Sequence, residues 1–298
     1  MEKISYGGWP NCVRLTNGKI ELIATTDVGP RIIRLGFVGG QNLMKEVPEE
    51  MGRTGDKKFV GYGGHRLWHA PEVDPRSYQP DNAPVAFKMK GSTLKLTPPV
   101  EAATGMVREM EITVDEKEPR IKVLHRLINK NMWDIEAAAW ALSVMAPGGR
   151  AIFPQEKFIP HEEYLLPARP IVVWHYTDMT DPRLVWGKKY IQFRQDPKAL
   201  TKNKFGILNK RGWAAYALKR DLFIKTVPYD PRATYVDFGC NCECFNWTGF
   251  IEIETIGPLT RIPAGGKVEH IENWLLAKVD VSEKEEDIDT KVLPLAEK

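Results

Sequence analysis

Cysteine is scarce in this chain: four residues in 298, three of them clustered as Cys240, Cys242 and Cys244. At that density a disulfide-held scaffold is excluded. Thiols two residues apart on an extended segment lie about 6.8 Å apart along one face, a row that strains to converge on one metal ion, so the three read as buried, reduced, structural groups. Long apolar runs are missing too, and none approaches the roughly 20 residues that a membrane-spanning helix needs. An excess of one charge is also lacking. The 42 Lys and Arg stand against 39 Asp and Glu, a net +3 spread without a basic block, which leaves no electrostatic footprint for nucleic acid. The opening residues, Met1 to Gly8, hold no apolar stretch and no small-residue cleavage site. A cytoplasmic protein is therefore expected, with neither nucleic acid nor membrane as its partner. The chain has no Gly-rich phosphate loop, no His-Glu-x-x-His and no Gly-x-Ser-x-Gly. Nucleotide hydrolysis, zincin chemistry and serine-esterase chemistry have no support.

Helical periodicity is nearly absent, with Lys198 to Asn203 as a turn and Glu283 to Val292 as a charged terminal helix the two exceptions. What the chain has instead is alternation. Its 24 glycines and 22 prolines cut it into short segments in which apolar and polar residues alternate with period two, the pattern of half-buried strands. Cys12 to Leu15, Asn17-Gly18 and Ile20 to Thr25 predict a hairpin, because Asn-Gly tolerates φ > 0 at both central turn positions. Strands are predicted at Arg31 to Phe37, Val85 to Lys90, Thr93 to Thr97, Val107 to Val114, Arg120 to Asn129, Glu136 to Met145 and Ile171 to Trp174. They continue at Tyr190 to Arg194, Gly206 to Leu208, Trp213 to Leu218, Leu222 to Val227, Cys240 to Phe245, Phe250 to Thr255 and Val268 to Leu276. The class is all-β, and so long a run of antiparallel strands must close into a barrel or stack as sheets to protect its edges. A hydrophobic content of 43%, a charged content of 27% and a mean hydropathy of -0.35 describe a globular chain. No linker or internal repeat divides it, so residues 1–298 read as one domain with a charged tail from about 282 to 298.

Three stretches concentrate chemistry. Gly61 to Glu72 reads as a loop after a glycine run and packs His65, Arg66, Trp68, His69 and Glu72 into eight residues. An aromatic plane beside Arg, His and Glu suits a sugar, whose CH face stacks while its hydroxyls take charged hydrogen bonds. The bland alternative is that Trp68 anchors the loop and Arg66 pairs with an acid. The second stretch, Trp174 to Asp178, offers His175 as a general acid, since an imidazole titrates near 6.5, or as a structural donor at a strand end. In the third, Asp237 to Thr255, period two sets Asn241 and Glu243 opposite the three thiols and puts Glu252 and Glu254 on one face opposite Ile251 and Ile253. If Asn246-Trp247-Thr248-Gly249 is a four-residue hairpin loop, these carboxylates share a face, as a general base, a calcium ligand set or ordinary solvent-facing glutamates.

Thr26-Asp27-Val28-Gly29-Pro30-Arg31-Ile32-Ile33-Arg34-Leu35, with Gly39-Gly40-Gln41-Asn42-Leu43-Met44, resembles the opening of aldose 1-epimerase (galactose mutarotase)-like proteins. Phe250 to Thr255, Pro263-Ala264-Gly265-Gly266 and a closing strand through Trp274 are similar to that superfamily's Leu-Glu-Thr strand and Pro-Gly-Glu turn. With Gly64 to Glu72 and Ala139 to Gly149 between them, the likeness spans nearly the whole chain in order, and it is closest to an uncharacterised branch. The resemblance implies a single-domain β-supersandwich of large antiparallel sheets with a carbohydrate cleft on a concave face. It also implies that Glu254 matches the family's general base and Arg66 its sugar-holding arginine. Trp140, in Ala138-Ala139-Trp140-Ala141-Leu142, stands where the family carries its catalytic histidine.

Mutarotation needs an acid at the ring oxygen and a base for the anomeric proton, both within hydrogen-bond reach of one sugar carbon. With Trp140 at the histidine position, His65, His69 or His175 would supply the acid. The expected function is acid/base chemistry at an anomeric centre by an epimerase-like isomerase acting on a sugar or oligosaccharide, as a monomer or homodimer without a cofactor, calcium excepted. A non-catalytic carbohydrate-binding protein is the alternative, with Trp68, Trp140 and Trp174 as stacking planes and Arg66 and Lys204 holding hydroxyls or a uronate. A lyase or glycoside hydrolase on the same fold is a further one.

Overall fold

The computed structural model describes residues 1–297 and is built almost entirely of strands. In chain order these are β1 (Glu2–Tyr6), β2 (Trp9–Thr16), β3 (Ile20–Thr25), β4 (Arg31–Phe37), β5 (Gly64–Ala70), β6 (Ala86–Lys90) and β7 (Thr93–Thr97). They continue as β8 (Met106–Val114), β9 (Arg120–Asn129), β10 (Ile135–Met145), β11 (Arg150–Pro154), β12 (Ile171–Val173), β13 (Leu184–Trp186) and β14 (Tyr190–Arg194). The last are β15 (Asn203–Ile207), β16 (Trp213–Leu218), β17 (Asp221–Thr226), β18 (Cys242–Trp247), β19 (Phe250–Ile256), β20 (Thr260–Ile262) and β21 (Lys267–Lys278).

The strands stack as two antiparallel sheets. The first runs β1-β2-β3-β4-β5-β10-β19-β18-β15-β12, with β20 paired to β10, and the second β13-β14-β11-β16-β17-β21-β9-β8-β7-β6. Between them lies a core drawn from both, including Leu22, Ile32, Met145, Ile251 and Ile253 from the first and Ile112, Val123, Phe223 and Leu276 from the second. Alternation is clean where one face meets water, as in β9. It disappears in β5 and over most of β10, which are buried on both faces. One face of these central strands packs on the second sheet and the other is covered by loops that enclose a cavity.

Gly61 to Glu72 is therefore not the loop that its composition suggested: Gly64 to Ala70 form a central strand. Its start is shaped by Gly63 and Gly64, both at positive φ, where an added Cβ would meet Lys45 O at 2.1 Å and Ile32 O at 2.5 Å. Glycine is what lets the backbone approach that closely. The fully buried Arg31 guanidinium clamps this corner by donating to Gly61 O at 2.7 Å and Gly63 O at 2.9 Å, and it pairs with Asp81.

Cys240 lies before β18 and not on it, so the three thiols do not form one row: Cys242 and Cys244 enter the intersheet core, and Cys240 Sγ covers Gly206, where a Cβ would be 2.5 Å away. All four cysteines are free and buried. The β18–β19 loop is shorter than expected, with Trp247 and Phe250 already paired across it. Lys198 to Asn203 forms no helix, and Asn203 opens β15. The charged end forms two short helices, α1 (Glu285–Lys291) and α2 (Leu293–Ala296), and Ile288, Val292 and Ala296 pack on the outer face of the second sheet. Among the described residues no helix is long and apolar enough to cross a membrane.

Candidate functional site

Sheet register assembles the site in rows. Leu142 on β10 pairs with Arg66 on β5 and with Glu254 on β19, which in turn pairs with Glu243 on β18. One step along, Val144 pairs with Gly64 and Glu252, Glu252 with Phe245, and Phe245 with Lys204 on β15. One step the other way, Trp140 pairs with Trp68 and Ile256. Period two turns this whole set to the face away from the second sheet. There it lines a cavity of about 830 Å³, closed by Phe59, Glu72, Tyr78, Trp174 and Tyr176 from the flanking loops.

Charged groups on the cavity floor are joined diagonally between rows. Lys204 Nζ lies 2.7 Å from Glu243 Oε2 and 3.2 Å from Glu254 Oε2, and Trp140 Nε1 donates to the same Glu254 oxygen at 2.9 Å. Arg66 pairs with Glu252 at 3.2 Å, and its guanidinium stacks over Trp68 at 4.5 Å. Lys204 Nζ also sits 5.1 Å above Trp140 and 4.7 Å above Trp174. Burial by itself would discharge Lys204, but Glu254 and Glu243 hold the ammonium well above its usual range. Burial pushes Glu243 well up, against the pull of Lys204 and with repulsion from Glu254 adding to it. With two carboxylates competing for one ammonium, Glu243 is the one left toward its neutral acid. Burial raises Glu252 too, opposed by Arg66, and lifts the Tyr176 hydroxyl to about 12.

Both donors to Glu254 use Oε2, so Oε1 is buried without a protein partner among the described residues. Arg66 Nε and Trp68 Nε1, on the same cavity wall, are likewise unpartnered. Each such group costs roughly 1–3 kcal/mol while unsatisfied. Two donors and an acceptor among aromatic rings can be satisfied together by a ligand that both donates and accepts, as hydroxyls do.

The residues singled out in the sequence divide accordingly. Arg66, Trp68, Glu72, Trp140, Trp174, Lys204 and Glu254 line the cavity, and Glu243 bonds to its floor through Lys204. Lys204 and Arg66 are each committed to carboxylates, so neither is a free cation for a uronate. The ammonium also stands between Glu243 and Glu254. Asn241 is away from the cavity: its amide donates to Asn209 O at 3.1 Å and its oxygen accepts from Asn209 N at 2.6 Å.

None of the three histidines lines the cavity. His175 is exposed and outside the cavity lining. His65 and His69 alternate with Arg66 and Trp68 on β5 and so face the second sheet, His69 lying 3.7 Å from Glu101. His65 belongs to a buried polar cluster between the sheets, with Ser143, His125, Lys225, Thr255, His270, Glu272 and Trp274. His65, His125 and Glu272 offer ligand atoms within 4.8 Å of one another, the spacing of a metal site. Lys225 Nζ, 2.9 Å from Glu272, already supplies the balancing cation.

Tyr78, Phe59, Tyr176 and Lys202 of the lining, and the intersheet cluster, were not identified as site residues from the sequence. For the cluster a signal existed: Lys225 follows core residue Phe223 by two positions, and Glu272 precedes core residue Trp274 by two, so both are charges at core positions of their strands.

No protein-family model and no curated protein sequence matches the chain. Solved structures do. A Synechocystis protein aligns over 93% of this chain and 100% of its own at 8% identity and a TM-score of 0.61. A galactose mutarotase-like protein from Lactobacillus casei aligns over 90% of this chain and 100% of its own at 9% identity and a TM-score of 0.56. A Klebsiella pneumoniae protein provisionally named an aldose 1-epimerase aligns over 100% of this chain and 87% of its own at 10% identity and a TM-score of 0.61. At such identities the likeness speaks for fold and leaves activity to the site. With its two large antiparallel sheets, this chain has the galactose mutarotase-like fold.

Proposed function

We propose that the cavity binds an uncharged sugar and that Glu254 acts as general base on its anomeric hydroxyl. The observation that carries the reading is the unpartnered Glu254 Oε1, buried on an aromatic wall while Oε2 is fixed by Trp140 and Lys204. Oε1 would take the anomeric proton; the C1–O bond gains double-bond character, the bond from C1 to the ring oxygen breaks, and the ring oxygen takes a proton to become a hydroxyl. Rotation about C1–C2 and reversal of these steps give the other anomer. The donors available for the ring oxygen are the Lys204 ammonium and the Tyr176 hydroxyl, both held toward their protonated forms. Such donors stabilise by hydrogen bonding more readily than by releasing a proton, so turnover is slower than an imidazole acid would give.

That feature favours one second reading, sugar recognition without turnover. Glycoside hydrolysis has less support, because the Lys204 ammonium fills the gap between Glu243 and Glu254 in which a scissile bond would have to sit. The test is exchange NMR of α and β anomers of neutral aldoses, for the protein and for Glu254→Gln. The reading expects exchange faster than in buffer, abolished in a Glu254→Gln variant that melts normally. Unchanged exchange in that variant overturns it, and binding without acceleration selects recognition alone.

A further inference from the structure

The cavity continues past the groups used so far. Phe250 lies four residues before Glu254 on β19, about 14 Å along the strand, and Trp247 pairs with it across the hairpin. Lys202, Phe245, Trp247 and Phe250 all line this far end. A pyranose and its hydroxyls, built from bonds of about 1.5 Å, span roughly 7 Å. One sugar centred on Glu254 therefore extends about 3.5 Å along the strand and leaves uncovered both the Glu252–Phe245 row, about 6.8 Å away, and the Phe250–Trp247 row beyond it. The cavity volume, about 830 Å³, also falls in the upper part of the range of roughly 300–1,000 Å³ for small-molecule sites.

Resting on the sugar-site reading above, we propose that the site takes an uncharged oligosaccharide, with one unit at Glu254 and the following unit on a platform of Phe245, Trp247 and Phe250. The platform is fixed before any ligand arrives. Gln195 Nε2 donates to Trp247 O at 2.9 Å and Thr248 O at 2.8 Å, Thr248 Oγ1 donates to Ala199 O at 2.8 Å, and Trp247 Nε1 donates to Leu200 O at 3.3 Å. The rings are held together, Phe245 to Phe250 at 5.9 Å and Trp247 to Phe250 at 6.1 Å, yet Trp247 remains 38% exposed. A large aromatic pinned at a cavity mouth and left open to solvent is a preorganised surface for the CH face of a sugar. Lys202 Nζ, 4.6 Å over the Trp247 ring, adds a donor for hydroxyls. The unit at Glu254 is uncharged because Arg66 and Lys204 beside it are already neutralised by glutamates.

Calorimetric titration with glucose, galactose and xylose against maltotriose, cellotriose, galactotriose and xylotriose tests this on the full chain and on a Trp247→Ala/Phe250→Ala variant. At least one trisaccharide is expected to bind ten-fold or more tightly than its monosaccharide, and that ratio to fall toward one in the variant, with its melting temperature checking the fold. Equal affinities for a trisaccharide and its monosaccharide, or a ratio unmoved in the variant, overturn the platform and leave the sugar reading standing. If none of the seven saccharides binds, both fall.

Discussion

In the proposed mechanism Glu254 and Trp140 are the pair on which the chemistry turns. Trp140 stands where the resemblance expects an imidazole, and in the fold it still points an N–H at the carboxylate. Under the proposed mechanism its role is to fix the base, leaving Oε1 as the reactive atom. Trp140→Phe keeps the ring and removes that donor, so Glu254 Oε2 retains Lys204 alone. A hydrogen bond to a charged group is worth about 1.5–3 kcal/mol, and anomeric exchange in Trp140→Phe is expected to drop roughly ten-fold or more, with KM for the sugar nearly unmoved. A full rate in that variant, measured by exchange NMR, would remove Trp140 from the mechanism. Glu254 and Arg66 were legible as candidates because motif and face agreed on them. His65 and His69 misled, since a composition rich in functional residue types looks alike on either face of a strand, and only the packing of one face on the second sheet tells which side meets the cavity.

At the scale of elements, the strands that present the site are tied to the second sheet by the polar cluster behind them. Its hydrogen bonds fix the proton on every ring. His125 Nδ1 donates to His270 O, so its Nε2 accepts from His65 Nε2–H, and His65 Nδ1 accepts from Ser143, which accepts from Lys225. Thr255 donates to Glu272 and accepts from His270. Burial lowers all three histidines, His65 well below its ordinary value and His270 to about 3. Glu272, which burial would raise, is held well below its ordinary value by Lys225 and the histidines. The folded state therefore binds fewer protons than the unfolded chain below about pH 6.5, the ordinary histidine value. The stability these histidines carry is complete above that pH and is lost as pH falls through the window down toward their folded values, at up to about 1.4 kcal/mol per pH unit for each. Urea melts from pH 8 to pH 4 are expected to show a plateau and then a steep decline below about 6.5; a flat profile to pH 5 would contradict the assigned tautomers. Most strands were readable from alternation, Arg31 to Phe37 and Arg120 to Asn129 to the residue. β5 was not, because a strand buried on both faces loses its alternation and a glycine run before it imitates a loop.

Over the whole molecule, the all-β class followed from the succession of strands, which left a barrel or stacked sheets open, and the family resemblance implied the sandwich; the arrangement of the site followed from neither. Its floor comes from β5, β10, β19, β18 and β15, neighbours in the sheet but spread over some 190 residues of chain. Periodicity assigns a face to each residue and says nothing of which strands lie side by side. That order puts Arg66 beside Glu252 and Lys204 beside Glu254, and so turns apparent free cations into partners of carboxylates. At the charged end, where a terminal helix from Glu283 to Val292 was expected, Ile288, Val292 and Ala296 recur at helical spacing among acidic residues and bury on the second sheet. On the proposed function, the lined cavity recognises a neutral saccharide through Glu254, Arg66 and the tryptophan rings. Saturation-transfer NMR against a mixed panel of aldoses, uronates and short oligosaccharides, repeated with Trp174→Ala, tests it most directly. Transfer to the CH protons of neutral sugars, weak transfer to uronates, and loss of both in Trp174→Ala are expected; preferential transfer to uronates, or no transfer to any saccharide, would overturn the proposed function.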